Sequence, residues 1–280
     1  MMRAARPTPA FWRESVTLAT LSLLLLTGAA PVPTAPAPPP PDIVVQAKPD
    51  QVLRDFVRSM TDPDRSRQLT RWDAEICPTV VGIDPAQAAA MQARIAEIAI
   101  SLHLNARAKG CMTTMIVIVD NHPAEVATSL SKQFPITLRT DGRDKLLRFV
   151  GTKRPVRWIS VTDPCGFGGC SLPNSRLRSS ERPAFQAMII IVDGQQINGF
   201  GLDELSDYVS LVALANPPSD RHWPATSILS MFDRERPPSA RFQVTGDDRA
   251  FLEGLYKTPT DGLGQAQRTS IVQNMKKAPQ

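Results

Sequence analysis

Four cysteines have the most definite chemistry in this sequence. Cys165 and Cys170 bracket the segment Gly-Phe-Gly-Gly, whose glycines let the chain turn tightly enough to bring two cysteines within disulfide distance. The remaining pair is then Cys77 with Cys111. A predicted helix about 30 Å long lies between those two, and the residues on either side of it are long enough to span that length. We therefore predict the disulfides Cys77–Cys111 and Cys165–Cys170.

The motifs of common hydrolase and cofactor sites are missing. The sequence has no G-x-S-x-G, no H-E-x-x-H, no phosphate-binding glycine loop and no dinucleotide fingerprint. Its histidines, His103, His122 and His222, lie in unrelated segments. A thiolate nucleophile or a zinc knuckle at Cys165 and Cys170 is disfavoured, because two close cysteines in an oxidising compartment form a disulfide. We predict no catalytic residue, no metal ligand and no cofactor.

A group of acidic and aromatic residues forms the candidate cleft. Asp203, Asp207 and Tyr208 fall at the start of a predicted buried helix, and Trp223 follows that helix. Acidic residues in a first helical turn stabilise the helix dipole and need no ligand, which is the interpretation we favour. The alternative is that these four residues line a pocket, with Trp223 as an aromatic wall.

Three apolar segments that end in aspartate predict the strands of a sheet. They are residues 115–120 (MIVIVD), 156–163 (VRWISVTD) and 188–193 (MIIIVD). Their β-branched residues suit a sheet covered on both faces. The terminal aspartates would bind a cation if they met at one edge, but aspartate after a strand is also common turn chemistry, and we favour turns.

Helical patterns occupy most of the remaining chain. One helix is predicted over residues 49–60 with Val52, Phe56 and Met60 on one face, and another begins at Asp84-Pro85, where the aspartate caps the helix. The charged segment 138–154 is interpreted as a solvated hairpin or a mobile flap. Further helices are predicted over residues 85–104, 123–133, 203–215, 225–232, 247–256 and 263–275. The fold class is therefore α+β, a single domain with a small sheet of about three to four strands packed by helices, and a helical C-terminal half.

The N-terminal residues predict export. Arg3, Arg6 and Arg13 precede an apolar run over residues 16–26 and the small residues Gly28 to Ala30, which is the pattern of a signal peptide cleaved after Ala30. We predict a signal peptide at 1–30, a proline-rich disordered linker at 31–47 and one globular domain at 48–280. The mature protein would then lie in the periplasm without a stable membrane span, whereas an uncleaved signal would leave it tethered.

Three segments resemble an uncharacterised exported family of alphaproteobacteria: QLTRWDAEICPTVVGI, MIIIVDGQQINGFGLDELSDYVSLVALANP and SILSMFDRERPPSARFQVTGDDRAFLEGLY. No activity comes with that resemblance. The order of strand, buried helix, turn and helix is also similar to exported domains with a metzincin-like fold. The buried helix of active metzincins carries H-E-x-x-H, where this chain has D-E-L-S-D-Y. The similarity implies a zincin-like, peptidase-like scaffold without its catalytic metal.

Two function classes follow from these observations. The favoured one is a non-catalytic periplasmic protein that binds an unknown partner or a small ligand through the predicted cleft or the charged segment 138–154. The alternative is a hydrolase, either metallopeptidase-like or a thiol enzyme. Basic residues are scattered and lack interleaved aromatics, so no nucleic-acid partner is predicted.

Overall fold

The computed structural model describes residues 49–166, 169, 179–233 and 241–278. The predicted signal peptide, the predicted linker and Cys170 lie outside these residues. Within the described ranges the elements follow the order α1 Asp50–Met60, β1 Pro78–Val81, α2 Pro85–Ser101, β2 Met115–Asp120, α3 Pro123–Gln133, α4 Arg143–Gly151, β3 Val156–Asp163, β4 Ala184–Asp193, α5 Leu202–Ala215, α6 Gly246–Lys257 and α7 Gly264–Lys277. Short 3₁₀ helices cover Thr137–Arg139 and Ile228–Phe232. The predicted α+β class is confirmed.

One mixed sheet with the strand order β1-β2-β4-β3 forms the centre of the described fold. β1, β2 and β4 run parallel, and β3 runs antiparallel to β4 at the edge. β2 and β3 have their predicted bounds, while β4 begins earlier, at Ala184. The four-residue β1 was not predicted, because so short a strand carries too little sequence pattern.

Helices cover both faces of the sheet. Successive residues of a strand point to opposite faces, and accordingly Trp158 and Ile190 belong to the larger core cluster while Ile159 and Ile191 belong to a smaller one. Helices α2 and α5 contact each other in the larger cluster, and α3 and α4 contact each other in the smaller cluster. Helix α5 is the most buried helix, with no exposed residue from Glu204 to Leu214.

The charged segment 138–154 is largely helical rather than the predicted hairpin or flap, since it contains the end of the 3₁₀ helix Thr137–Arg139 and all of α4. Leu138, Leu146 and Phe149 are buried against the sheet, and their spacing suits helical turns better than a strand pair. The many charges around them obscured that pattern. Two other predictions also need correction, because residues 228–232 form a 3₁₀ helix and because Val52 is 49% exposed whereas Leu53 and Val57 are buried.

Two local predictions are confirmed. Asp84 caps α2, since its carboxylate accepts hydrogen bonds from the backbone N–H groups of Ala86 (2.8 Å) and Gln87 (3.4 Å). Cys77 and Cys111 form a disulfide with a Cα–Cα distance of 5.9 Å. The pairing of Cys165 with Cys170 stays a prediction. Of the helices in the described ranges, none is long and apolar enough to cross a lipid bilayer.

Candidate functional site

The residues of the predicted cleft lie in different surroundings. Asp203 is exposed, whereas Asp207 is buried. The carboxylate of Asp207 accepts hydrogen bonds from the Arg94 guanidinium at 2.7 Å and from the Val244 N–H at 2.9 Å. These contacts tie α5 to α2 and to the chain before α6. Asp207 therefore contributes to the fold through a partly buried ion pair.

The two aromatic residues of that group also lie in the core. The ring of Tyr208 packs edge-on against Phe232 at 5.0 Å, and burial raises the pKa of the Tyr208 hydroxyl well above its usual value. Trp223 packs against Trp158 with ring centres 6.1 Å apart, and the Arg154 guanidinium lies 4.4 Å from the Trp223 ring. Neither Tyr208 nor Trp223 lines the cavity of about 360 Å³ that lies beside α4.

The strand-terminal aspartates form turns, as predicted. Asp120, Asp163 and Asp193 each accept a hydrogen bond from the backbone N–H two residues later, at 2.6, 2.9 and 2.9 Å. Because β3 is antiparallel to β4, Asp163 and Asp193 lie at opposite ends of the paired strands. In the part of the chain that the structure describes, no three potential metal ligands cluster.

A cavity of about 360 Å³ lies beside the N-terminal end of α4. Residues from four segments line it: 62–67 after α1, 141–148 at the start of α4, 158–160 on β3 and 216–220 after α5. Pockets of this size that gather a few polar groups are the usual sites for small ligands. This cavity is the strongest candidate for a functional site.

A buried carboxylate anchors the polar groups of this cavity. Asp141 is 4% exposed, and its Oδ2 accepts hydrogen bonds from Ser160 Oγ (2.6 Å), Lys145 Nζ (2.7 Å) and Asn216 Nδ2 (3.3 Å). Asn216 Nδ2 also lies 3.1 Å from Ser160 Oγ. The ion pair with Lys145 offsets the free-energy cost of burying the Asp141 charge.

Regular structure positions each member of this network. Ser160 is held by the pairing of β3 with β4. Lys145 lies in the first turn of α4, and Asp141 lies on the loop two residues before that helix begins. Asn216 ends α5 in the left-handed conformation (φ 46°, ψ 54°), which asparagine tolerates better than most residues.

Further ion pairs surround the cavity at longer distances. The Arg67 guanidinium lies 3.6 Å from Asp62 and 3.7 Å from Asp141, and Lys145 lies 3.8 Å from Asp62. Two cations and two anions therefore alternate in a closed ring. Partly exposed ion pairs at such distances contribute little stabilising free energy. A ligand with charged groups can therefore replace these contacts.

A buried arginine outside the cavity holds the segment that carries Asp62 and Arg67. Arg268 of α7 donates hydrogen bonds to the backbone carbonyls of Asp62 (3.1 Å), Asp64 (3.2 Å) and Arg67 (2.9 Å). Burial lowers the pKa of the Arg268 guanidinium. Arg268 thus holds the wall of the cavity formed by residues 62–67 without lining the cavity itself.

The chemistry of this arrangement favours binding over nucleophilic catalysis. Ser160 Oγ is the one hydroxyl in the network, and the residue is only 1% exposed. Its proton points to a carboxylate that also pairs with Lys145. Taking that proton would cost Asp141 its ion pair, so no group in the network is placed to activate the hydroxyl.

The charged segment 138–154 was predicted from the sequence as one possible binding element, but the hydrogen-bond network around Asp141 was not predicted. The one local signal was the spacing of Asp141 and Lys145, four residues apart. Nothing in the sequence joins that pair to Ser160 or Asn216. Comparison with protein-family models, with curated protein sequences and with solved structures found no match to this chain.

Proposed function

We propose that this chain is an exported periplasmic protein that binds a small polar ligand in the cavity beside α4 and has no catalytic activity of its own. The observation that carries the proposal is the buried Asp141 network at the wall of a cavity of about 360 Å³. A buried carboxylate with several hydrogen-bond donors fixes the orientation of neighbouring polar groups. Such preorganised groups supply specificity in small-molecule sites.

Export is supported by the N-terminal pattern of Arg3, Arg6 and Arg13 before an apolar run, and by the Cys77–Cys111 disulfide. Disulfides persist in oxidising compartments such as the periplasm. The test is mass spectrometry of the protein from fractionated cells. A periplasmic species that begins after Ala30 supports export, whereas an intact N-terminus in the membrane fraction contradicts cleavage.

The metallopeptidase-like form of the hydrolase alternative would place its chemistry on α5, where the metzincin-like resemblance sets D-E-L-S-D-Y in the place of H-E-x-x-H. There Glu204 accepts hydrogen bonds from the N–H groups of Gly201 (2.6 Å) and Phe242 (2.8 Å), and Asp207 is engaged by Arg94. Both carboxylates therefore serve the packing of α5, which favours the binding proposal. Stoichiometric zinc in protein purified without chelators would support the alternative instead.

The binding proposal is tested by equilibrium dialysis of residues 31–280 against the small-molecule fraction of a periplasmic extract, with mass spectrometry of the retained compounds. We expect the wild-type protein to retain a compound that Asp141→Ala and Ser219→Trp lose. Ser219→Trp fills the cavity and leaves the Asp141 network in place. It therefore tests the cavity even if Asp141→Ala fails to fold. Asp55→Ala, on the exposed face of α1, is the control that retains the compound. Retention of nothing by the wild-type protein, or retention unaffected by both cavity variants, would overturn the proposal.

A further inference from the structure

We infer that the ligand of this cavity is a zwitterion with one carboxylate and one protonated amine, as in a free amino acid or a short peptide. The inference rests on the proposed function, namely that the cavity beside α4 binds a small ligand. It adds the chemical class of that ligand, which follows from the charges around the cavity and from the hydrogen-bonding capacity that they leave unused.

The formal charges that line the cavity are balanced. Arg67, Arg143, Lys145 and Arg148 supply four positive charges, and four aspartates supply as many negative ones. A ligand with a single sign of charge would face repulsion from half of these groups. A ligand that carries both signs can be attracted by both sets at once.

Arginines with unused donors provide the place for a carboxylate. The guanidinium groups of Arg67, Arg143 and Arg148 donate no side-chain hydrogen bond to any residue that the structure describes. Arg148 lies 3.8 Å from Asp220, and within the described ranges no carboxylate lies in ion-pair distance of Arg143. A guanidinium binds a carboxylate through two parallel hydrogen bonds, and free donors in a cavity favour such a ligand group.

Asp141 provides the place for an amine. Its Oδ2 is saturated by Ser160, Lys145 and Asn216, but its Oδ1 accepts no hydrogen bond from a described residue. The nearest cation to Oδ1 is Arg67 Nη2, at 3.7 Å. An ammonium group can donate to Oδ1 and also approach the Asp62 carboxylate. The contacts of Asp62 with Arg67 (3.6 Å) and Lys145 (3.8 Å) are also too long for hydrogen bonds. The buried carboxylate is therefore left with one acceptor atom for a ligand.

Other ligand classes fit these groups less well. A phosphate dianion would be drawn to the arginines but repelled by Asp141 and Asp62. A neutral sugar would leave the guanidinium charges without a partner. A simple amine would satisfy Asp141 and leave Arg143 unused.

The test is isothermal titration calorimetry of residues 31–280 with each standard L-amino acid and with glycylglycine. We expect at least one of these compounds to bind, and its N-acetyl and carboxamide derivatives to bind about tenfold more weakly or worse, because each removes one of the two charges. Acetate, methylamine and inorganic phosphate are expected to bind far more weakly than the zwitterion.

Matched variants locate the two charged groups of the ligand. Arg143→Ala, at an exposed position that the fold does not need, should weaken the zwitterion about tenfold and the carboxamide derivative much less. Asp141→Asn should weaken the zwitterion by a similar factor and the N-acetyl derivative much less. Arg139→Ala removes an exposed arginine outside the cavity and should change nothing.

Three results would overturn the inference. One is binding of acetate or phosphate as tight as that of any amino acid, which would assign an anion site. Another is binding that Arg143→Ala and Asp141→Asn leave unchanged. The last is that no amino acid or dipeptide binds although a compound from the periplasmic extract does, in which case the proposed function stands and its ligand is of another class. If the extract also yields nothing, the proposed function fails.

Discussion

Asp207 illustrates how burial changes the importance of a single residue. From the sequence, an acidic residue near a helix start was expected to contribute about 0.3 to 1 kcal/mol through the helix dipole. In the structure its carboxylate is buried and pairs with Arg94 at 2.7 Å, and the Val244 N–H depends on it. Its contribution therefore resembles that of a buried polar contact rather than that of a surface charge.

Asp207→Ala is expected to lower the free energy of unfolding by about 1 to 3 kcal/mol, because the buried Val244 N–H loses its acceptor and Arg94 keeps only its contact with Glu97. Leu211→Ala on the same helix should cost about 2 to 5 kcal/mol through lost burial and the cavity it leaves. Asp203→Ala is the matched exposed control, with a change within about 0.5 kcal/mol. Urea denaturation measures all three, and a cost for Asp203→Ala equal to that of Asp207→Ala would contradict this interpretation.

The buried carboxyl group of Asp248 should make the stability of the protein depend on pH. Burial raises the pKa of its carboxyl, although hydrogen bonds from Ile228 N–H (2.8 Å) and Thr245 N–H (3.1 Å) oppose that rise. The unfolded chain then ionises at a lower pH than the folded protein, so raising the pH above the usual aspartate pKa costs the wild-type protein stability. Asp248→Asn keeps an acceptor oxygen and does not titrate.

We therefore expect the stability of Asp248→Asn relative to wild type to increase as the pH rises above the usual aspartate pKa of about 4. Denaturation curves of both proteins at several pH values test this. A difference that stays constant or falls as the pH rises would show that the folded-state pKa of Asp248 is not raised.

At the scale of elements, most helices and strands could be predicted because each carries its own signal. β2, β3 and α3 have the predicted bounds, since apolar runs and helix-start residues mark their ends. The prediction of a hairpin or flap for the charged segment containing α4 was wrong, because only tertiary contacts show that Leu146 and Phe149 are buried. Parallel pairing of β1 with β2 depends on contacts distant in sequence, and no local pattern reveals it.

The Cys77–Cys111 disulfide is expected to stabilise the loop that contains β1 and α2. The two cysteines are separated by 34 residues, and a bridge over such a loop is worth about 3 to 4 kcal/mol in the chain-entropy model. Replacing both cysteines with serine should lower the free energy of unfolding by that amount. Reduction of the wild-type protein should cause a loss at least as large, because a reductant also opens the predicted Cys165–Cys170 disulfide. An unchanged stability would contradict the entropic account.

Arg268 links α7 to the cavity wall. Arg268→Ala should lower the free energy of unfolding by about 1 to 3 kcal/mol, because the partly buried carbonyls of Asp62, Asp64 and Arg67 lose their donor. It should also weaken ligand binding in the cavity. Arg65→Ala removes an exposed arginine of the same segment and should leave both unchanged. Calorimetry measures ligand binding by the two variants, and urea denaturation measures their stability. Ligand binding that Arg268→Ala leaves unchanged would contradict the positioning role of Arg268.

At the scale of the whole molecule, the candidate site could not be predicted from the sequence. Asp141, Ser160 and Asn216 lie on a loop, a strand and a helix end that are separated by many residues. Each has an ordinary local environment in the sequence, and only the pairing of β3 with β4 and the end of α5 bring them together. Of the predicted cleft residues, Asp207 and Tyr208 lie in the buried helix α5 and stabilise the fold, and Trp223 packs against Trp158 without lining the cavity itself.

The central claim, that the cavity beside α4 binds a small ligand, is tested most directly by the indole N–H signals of protein labelled with ¹⁵N-tryptophan. Trp158 lines the cavity and donates its indole N–H to Pro217 O at 3.1 Å, whereas the Trp72 indole donates to Ala213 O at 2.9 Å and does not line it. Adding the small-molecule fraction of a periplasmic extract should shift the Trp158 signal in a saturable way and leave the Trp72 signal in place. A Trp158 signal that stays unmoved while the protein demonstrably retains a ligand would contradict the account.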